Sequence, residues 1–229
     1  MSRLCGSRVS SGMGRALRIT AGNLIYHVLN RANGRAPLFE QDGDYRAFEQ
    51  VLGEACARTQ MRLLSYCVMP NHWHVVVWPR RDGDLSKFGQ WLALTHTQRW
   101  HAHRQSVGQG HVYQGRFKSF PVQTDGNLLT VCRYVERNPV RAKLVGQAQD
   151  WRWSSLWRRI YGDAEAQPQL AMWPIAYPPD WLLQVNQPQQ PSEIDALRQC
   201  IAKDRPWGSH VWRDTLTPRQ CQTPFMQGV

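Results

Sequence analysis

The spacing of apolar positions changes several times along the chain, and each change predicts an element. Leu24 to Asn30 (LIYHVLN) is an apolar run of strand length, and Asn33-Gly34 in the following Arg31-Ala-Asn-Gly-Arg35 is a turn signal. From Asp44 to Ala57, Tyr45, Phe48, Val51, Leu52 and Ala55 recur three and four apart, the stripe of an amphipathic helix. Met61 to Met69 then alternates as a strand, Pro70-Asn71 turns the chain, and His72 to Trp78 returns beside it as an antiparallel hairpin. Leu85, Phe88, Trp91, Leu92 and Thr95 place a second helix over Leu85 to His101, with Gly108-Gln-Gly110 opening the next loop. Phe117 to Val122 reads as a short last strand. Thr124 or Asp125 caps a third helix that runs through Tyr134 and stops near Asn138, because Pro139 disfavours helical geometry in the residue before it.

The order β-α-β-β-α-β plus a helix predicts an α+β protein of the ferredoxin-like split βαβ arrangement. Its antiparallel sheet has helices on one face, leaving the other face free for a site. Beyond Gly162 the texture turns Pro- and Gln-rich (Gln184 to Pro191), with one short helix expected from Ser192, where Asp195 completes a capping-box-like start. The expected organisation is a basic flexible arm over 1–21, a catalytic domain over 22–162, and an appendage over 163–229 that packs on it.

Composition narrows the partners. The 229 residues hold 28 Lys plus Arg against 17 Asp plus Glu, a net charge of +11 that attracts polyanions, nucleic acid first. Eleven tryptophans can fill a core or serve as platforms for bases. No run approaches the 18 or so apolar residues a membrane span needs, and the first twenty residues lack the apolar stretch of a signal peptide. Cys5, Cys56, Cys67, Cys132, Cys200 and Cys221 contain no C-x-x-C pair, so neither a zinc ribbon nor a thioredoxin motif is present. They read as scattered thiols of a reducing cytosol.

His72-Trp73-His74 lies in the second strand of the hairpin, where side chains repeat every two residues. Both imidazoles leave the same face about 7 Å apart at the backbone, close enough to converge on one ion, while Trp73 points toward the helices. Two hydrogen-bonded strand histidines would show the same spacing. A second pair, His101 and His103, falls at a helix end, where residues two apart point about 200° from each other and cannot share an ion. On the third helix Leu128, Val131, Cys132 and Val135 form the apolar stripe, and Tyr134 and Asn138, four apart, fall together along one edge. If that helix lies over the face carrying His72 and His74, an amide oxygen of Asn138 would add a third ligand beside the Tyr134 phenol. Such a set leaves open positions, as a catalytic metal site requires.

Met69-Pro-Asn-His-Trp-His74, Tyr113-Gln-Gly-Arg-Phe-Lys118 and Arg133-Tyr-Val-Glu-Arg-Asn-Pro-Val-Arg-Ala142 strongly resemble the single-tyrosine HUH transposases, and more narrowly the REP-associated tyrosine transposases of bacteria. The resemblance covers about residues 22 to 162, including Tyr26-His-Val-Leu-Asn-Arg31. It implies that His72 and His74 are metal ligands, that Tyr134 is the nucleophile, and that Asn138 takes the third-ligand position, where related transposases usually carry glutamine. It also implies magnesium or manganese, although two histidines alone would suit zinc. The implied activity is metal-dependent cleavage and strand transfer at single-stranded or hairpin DNA through a 5′-phosphotyrosine intermediate. The enzyme is expected to be cytoplasmic and nucleoid-associated, with no membrane, as a monomer or homodimer.

Basic residues fall where DNA should pass. Arg80 to Lys118 holds seven Lys or Arg against two acids, and Arg133 to Arg159 another seven against two. Trp91, Trp100, Trp151, Trp153 and Trp157 lie among them, an interleaving that suits single strands and hairpin ends. Arg31, Arg116, Lys118, Arg133, Arg137 and Arg141 are the candidate DNA contacts. The competing readings are a hairpin-binding module that does not cut, and a phosphoesterase or RNA-binding domain on the same fold. The latter lacks a second histidine strand and an RNP-type aromatic strand.

Overall fold

The computed structural model describes residues 19–162 and 167–216. The chain runs β1 (Ile25–Arg31), α1 (Asp42–Thr59), β2 (Arg62–Met69), β3 (His72–Trp78), α2 (Asp84–His103), β4 (Lys118–Val122) and α3 (Gly126–Glu136). The short α4 (Asn138–Arg141), α5 (Ser155–Tyr161), α6 (Trp181–Asn186), α7 (Pro191–Lys203) and α8 (His210–Thr215) follow. The four strands make one antiparallel sheet in the order β2-β3-β1-β4, the split βαβ arrangement. Most of the expected basic arm, together with Cys5 and Cys221, lies outside the described residues; Thr20 and Ala21, at its end, are buried.

The sheet's two faces build two cores. On the first, Tyr26, Val28, Trp73, Val75 and Val77 pack against the apolar stripes of α1 and α2 (Tyr45, Phe48, Val51, Leu52; Leu85, Phe88, Leu92). α2 comes close to the loop before β4 because Gly89 leaves room for the Phe117 ring, which any side chain there would displace. On the second face Ile25, Cys67, Val76, Phe120 and Val122 pack against Leu128, Val131, Cys132 and Val135 of α3. This face was expected to be free; α3 and the C-terminal segment cover it instead. The reason is apolar area: the stripe of α3 and the inward residues of four strands would each lose about 1.5–3 kcal/mol per large side chain if left in water.

Asp125 caps α3, its carboxylate accepting from Asn127 N–H. The helix stops at Glu136, close to the expected end near Asn138, and Arg137 leads directly into α4. Pro139 sits in the first turn of α4, where a missing N–H costs nothing, so the proline both ends one helix and starts another.

The C-terminal segment is part of the structure. Trp173, Trp181, Val185 and Leu197 complete the second core. α7 starts at Pro191, not through a Ser192–Asp195 box; Asp195 pairs with Arg198 at 3.3 Å. Trp207 donates its N–H to Pro121 O at 2.9 Å and accepts from Gln123 N–H at 2.9 Å, covering the outer edge of β4. The brevity of α5, α6 and α8, six or seven residues each, left them without a readable period. Among the described residues no helix is long and apolar enough to cross a membrane.

Candidate active site

Alternation along β3 sends Trp73 into the first core and His72 and His74 to the opposite face. The two imidazoles stand with centroids 5.0 Å apart and planes 82° to each other. Each has one nitrogen already engaged. His72 Nδ1 is 2.7 Å from Asn71 Oδ1, and His74 Nδ1 is 2.9 Å from Nε2 of His27, a residue of β1. The Nε2 atoms are the ones left for another partner. Burial pushes the His72 pKa down to about 4, with Arg31 and Arg141 adding to the fall. Burial pushes His74 well below the ordinary value, helped by the neighbouring histidines and the same two arginines, and takes His27 to about 3. All three rings are therefore neutral near pH 7, the state in which an imidazole can ligate.

Tyr134 reaches this face from the edge of α3. Its ring lies edge-on to His74 at 6.0 Å and to His27 at 6.3 Å, so the helix covers the face that carries the histidine pair. Arg141 stacks its guanidinium 4.0 Å from the Tyr134 ring centroid and donates from Nη2 to Tyr134 O at 3.0 Å, leaving Nη1 buried with no hydrogen-bond partner. Asn138 is buried at the start of α4, one turn beyond Tyr134, and its Nδ2 is also a buried atom without a partner.

α3 is seated from below by Glu136. Its carboxylate accepts from Ser155 Oγ at 2.6 Å, Ser65 Oγ at 3.1 Å and Trp181 Nε1 at 2.7 Å. Burial raises its pKa, and the donors work against that rise. The tyrosine is thus held by β2, α5 and α6 as well as by its own helix.

The candidate DNA contacts divide into three groups. Arg31 stands directly across from His72 in the β1–β3 ladder and lines a cleft of about 320 Å3 with Arg116, Lys118, Asn30 and Gln114. Arg141 belongs to the tyrosine. The remaining cations face the C-terminal segment: Lys118 Nζ donates to Ile201 O and Ala202 O at 3.3 and 3.2 Å, and Arg133 Nη2 to Gln187 O and Pro188 O at 2.8 and 3.2 Å. Arg137 Nη1 donates to Val185 O at 2.9 Å and to Asn186 O. These carbonyls lie at and just beyond the C-terminal ends of α6 and α7, where the helix dipole favours a cation.

Other sequence candidates are placed away from the site. His101 bonds Ser106 Oγ through Nδ1 at the end of α2, and His103 is exposed. Tyr113 lies in the first core, accepts from Trp73 Nε1 at 2.9 Å and meets His96 Nδ1 at 2.7 Å, with burial raising its pKa far above that of a free phenol. The tryptophans expected to offer stacking platforms are mostly packing residues: Trp153 stacks on Tyr45 at 4.8 Å, while Trp100 and Trp151 donate to Leu38 O and Val68 O. His27 escaped the sequence reading. Its signal was a polar ring inside an apolar strand, two residues from Ile25 and Leu29 on the same face. Among the described residues no group of three or more His, Cys, Asp or Glu could hold a metal.

The sequence model of a family described as "Transposase IS200 like" matches residues 20–138, a span that runs from just before β1 to Asn138. A Haemophilus influenzae protein assigned as a REP-associated tyrosine transposase is 23% identical over 142 residues, 58% of this chain and 74% of that one. The solved structure of a REP-associated tyrosine transposase bound to a REP hairpin superposes with a TM-score of 0.51 at 19% identity, covering 71% of this chain and 98% of that chain. At that identity the likeness is one of fold.

Proposed function

The chain belongs to the family of IS200-like transposases, and from that premise we propose that it cuts and rejoins single-stranded DNA at hairpin sequences through a 5′-phosphotyrosine on Tyr134. The observation that carries this reading is the meeting of His72, His74 and Tyr134 on one sheet face, from two elements far apart in sequence.

In this reading the Tyr134 oxygen attacks the scissile phosphorus in line. The bond from phosphorus to the 3′ oxygen breaks, leaving a free 3′-hydroxyl and the 5′ phosphate on the phenol. One phosphodiester is exchanged for another, so a second 3′-hydroxyl can reverse the step and join strands without ATP. Arg141 fixes the tyrosine ring from one side and holds its partnerless Nη1 where a phosphate oxygen would satisfy it. Arg31, opposite His72, adds a second positive group at the same place.

The donor set fits a divalent cation. His72 and His74 have neutral rings with Nε2 unused, and Nδ2 of the buried Asn138 amide lacks a partner; rotating that amide would put its oxygen in the orphaned position. His72, His74 and Asn138 would hold magnesium or manganese, which when bound would polarise the phosphate and offset developing negative charge. Arg31 and Arg116 with the nearby cleft are the entrance for the strand, and Lys118, Arg133 and Arg137 can serve DNA only after giving up their carbonyl partners.

The test is incubation of the full chain with hairpin oligonucleotides and magnesium or manganese, followed by a denaturing gel. A slow-migrating covalent adduct is expected from the natural sequence and none from Tyr134→Phe, whose hairpin binding stays within about twofold because only the nucleophilic oxygen is lost. Binding without any adduct would favour a hairpin-recognition module. An adduct from the Phe variant would move the nucleophile elsewhere, though not to Tyr113, which is locked in the opposite core.

A further inference from the structure

The chemistry above leaves one buried group of the site unused. His27 is fully buried in the central strand β1, its Nε2 is 2.9 Å from His74 Nδ1, and the two ring planes are parallel to within 6° with centroids 5.0 Å apart, at a distance that allows one shared N–H···N bond. Phe120 packs edge-on against it at 5.0 Å and Tyr134 at 6.3 Å. Its other nitrogen, Nδ1, is buried with no hydrogen-bond partner.

Two neutral imidazoles can share one hydrogen bond in two ways. In the first, His74 carries its proton on Nδ1 and donates to His27 Nε2. His74 Nε2 is then a bare lone pair able to ligate, and the His27 proton sits on the partnerless Nδ1. In the second, His27 donates from Nε2, and the His74 proton sits on its own Nε2, where it blocks ligation. The first arrangement leaves an N–H at His27 Nδ1 and a lone pair at His74 Nε2, and the second reverses the two. Only the first arrangement lets His74 ligate a cation.

We propose that His27 is the positioning residue of His74: by accepting from Nδ1 it fixes the ring plane and makes Nε2 the ligating atom whenever a divalent cation occupies the site. His27 is not itself a ligand, since its Nε2 is spent on the bond to His74. This inference rests on the reading that His72 and His74 take the cation. Partners of this kind are usually carboxylates or backbone carbonyls; a neutral imidazole in the same place adds no negative charge and leaves His74 a weaker donor.

The experiment is Mn2+ titration of the DNA-free full chain, read from the electron paramagnetic resonance signal of unbound Mn2+, with Tm and metal-free hairpin affinity measured alongside. The natural chain should bind Mn2+ and His74→Ala should not. His27→Phe, which keeps the bulk and removes the acceptor, should weaken Mn2+ binding by about 10–100-fold. His27→Gln, whose side-chain oxygen can occupy the Nε2 position, should stay within a few-fold of the natural chain, and hairpin affinity should be unchanged in both. A His27→Phe chain that binds Mn2+ as well as the natural one, while His74→Ala does not, would overturn the role of His27 alone. Failure of the natural chain to bind Mn2+, or binding undiminished in His74→Ala, would overturn the metal reading instead. Ring-nitrogen NMR on the natural chain is independent of how any variant folds: with Mg2+ added, His74 should hold its proton on Nδ1, and a proton on Nε2 in the loaded state would refute the proposal.

Discussion

At the scale of single residues, the two His-x-His pairs form an internal control. His72 and His74 share a strand face, each with its Nδ1 engaged, whereas His101 and His103 sit on the last turn of α2, one bonded to Ser106 and the other in solvent. Chemically the pairs are alike, so any difference between them measures geometry. His72→Ala and His74→Ala are each expected to lower metal-dependent adduct formation at least about 100-fold, on the scale of losing a group that stabilises charge at the reacting phosphate, while His101→Ala and His103→Ala leave it within about twofold. Denaturing gels over time courses give the rates. Equal losses from both pairs would show that basic surface, not a shared strand face, is what matters.

At the scale of elements, the sheet is held between two cores that use buried polar groups differently. On the α3 side Glu136 accepts three hydrogen bonds and thereby ties the tyrosine helix to β2, α5 and α6. On the α1–α2 side His96 of α2 is buried against Tyr113, and burial lowers its pKa to about 4 from an ordinary value of 6.5. A histidine held neutral in the fold favours unfolding once the unfolded chain takes up a proton. Its stabilising contribution is whole above pH 6.5 and is lost as the pH falls toward 4, by at most about 3 kcal/mol. Tm should therefore drop between pH 7 and 4.5, and His96→Asn, which can still accept from Tyr113, should be less stable at pH 7 but lose less over that interval. Parallel Tm curves for the two proteins would assign the acid sensitivity to other groups.

For the molecule as a whole, the question is what the C-terminal segment does on the face that carries the site. It has two parts with different attachments. Trp173 and Trp181 are built into the second core, and Trp181 is one of the three donors to Glu136, so a chain ending at Gly162 loses part of its interior. α7 and the Trp207 stretch lie over β4 and hold Lys118 through Ile201 O and Ala202 O. A chain ending at Gln190 should keep the fold with a Tm lower by several degrees, since Leu197 is the one fully buried apolar side chain given up from α7. Freed of its carbonyls, Lys118 should add a phosphate contact: tighter hairpin binding, faster cleavage, and a log–log salt slope steeper by about 0.7. Unchanged affinity and slope in the shortened chain would mean that this segment is scaffolding only.

Much of the molecule was legible from local pattern. Spacings of two and of three to four residues are properties of short stretches, so they determined the β-α-β-β-α-β order, the hairpin and the common face of His72 and His74, whereas the expected single helix edge for Tyr134 and Asn138 is divided between α3 and α4. The motif resemblance rested on the same stretches. The tertiary structure decided everything that joins residues far apart. His27 meets His74 across 47 positions, and α3 closes over a sheet face that periodicity alone left open. Arg133, Arg137 and Lys118 look like free cations in the sequence, yet each is held by carbonyls 48 to 84 positions away. The physical reason is that periodicity says which way a side chain points relative to its own element, and never which element will stand opposite; that choice is made by burial of apolar area over the whole chain.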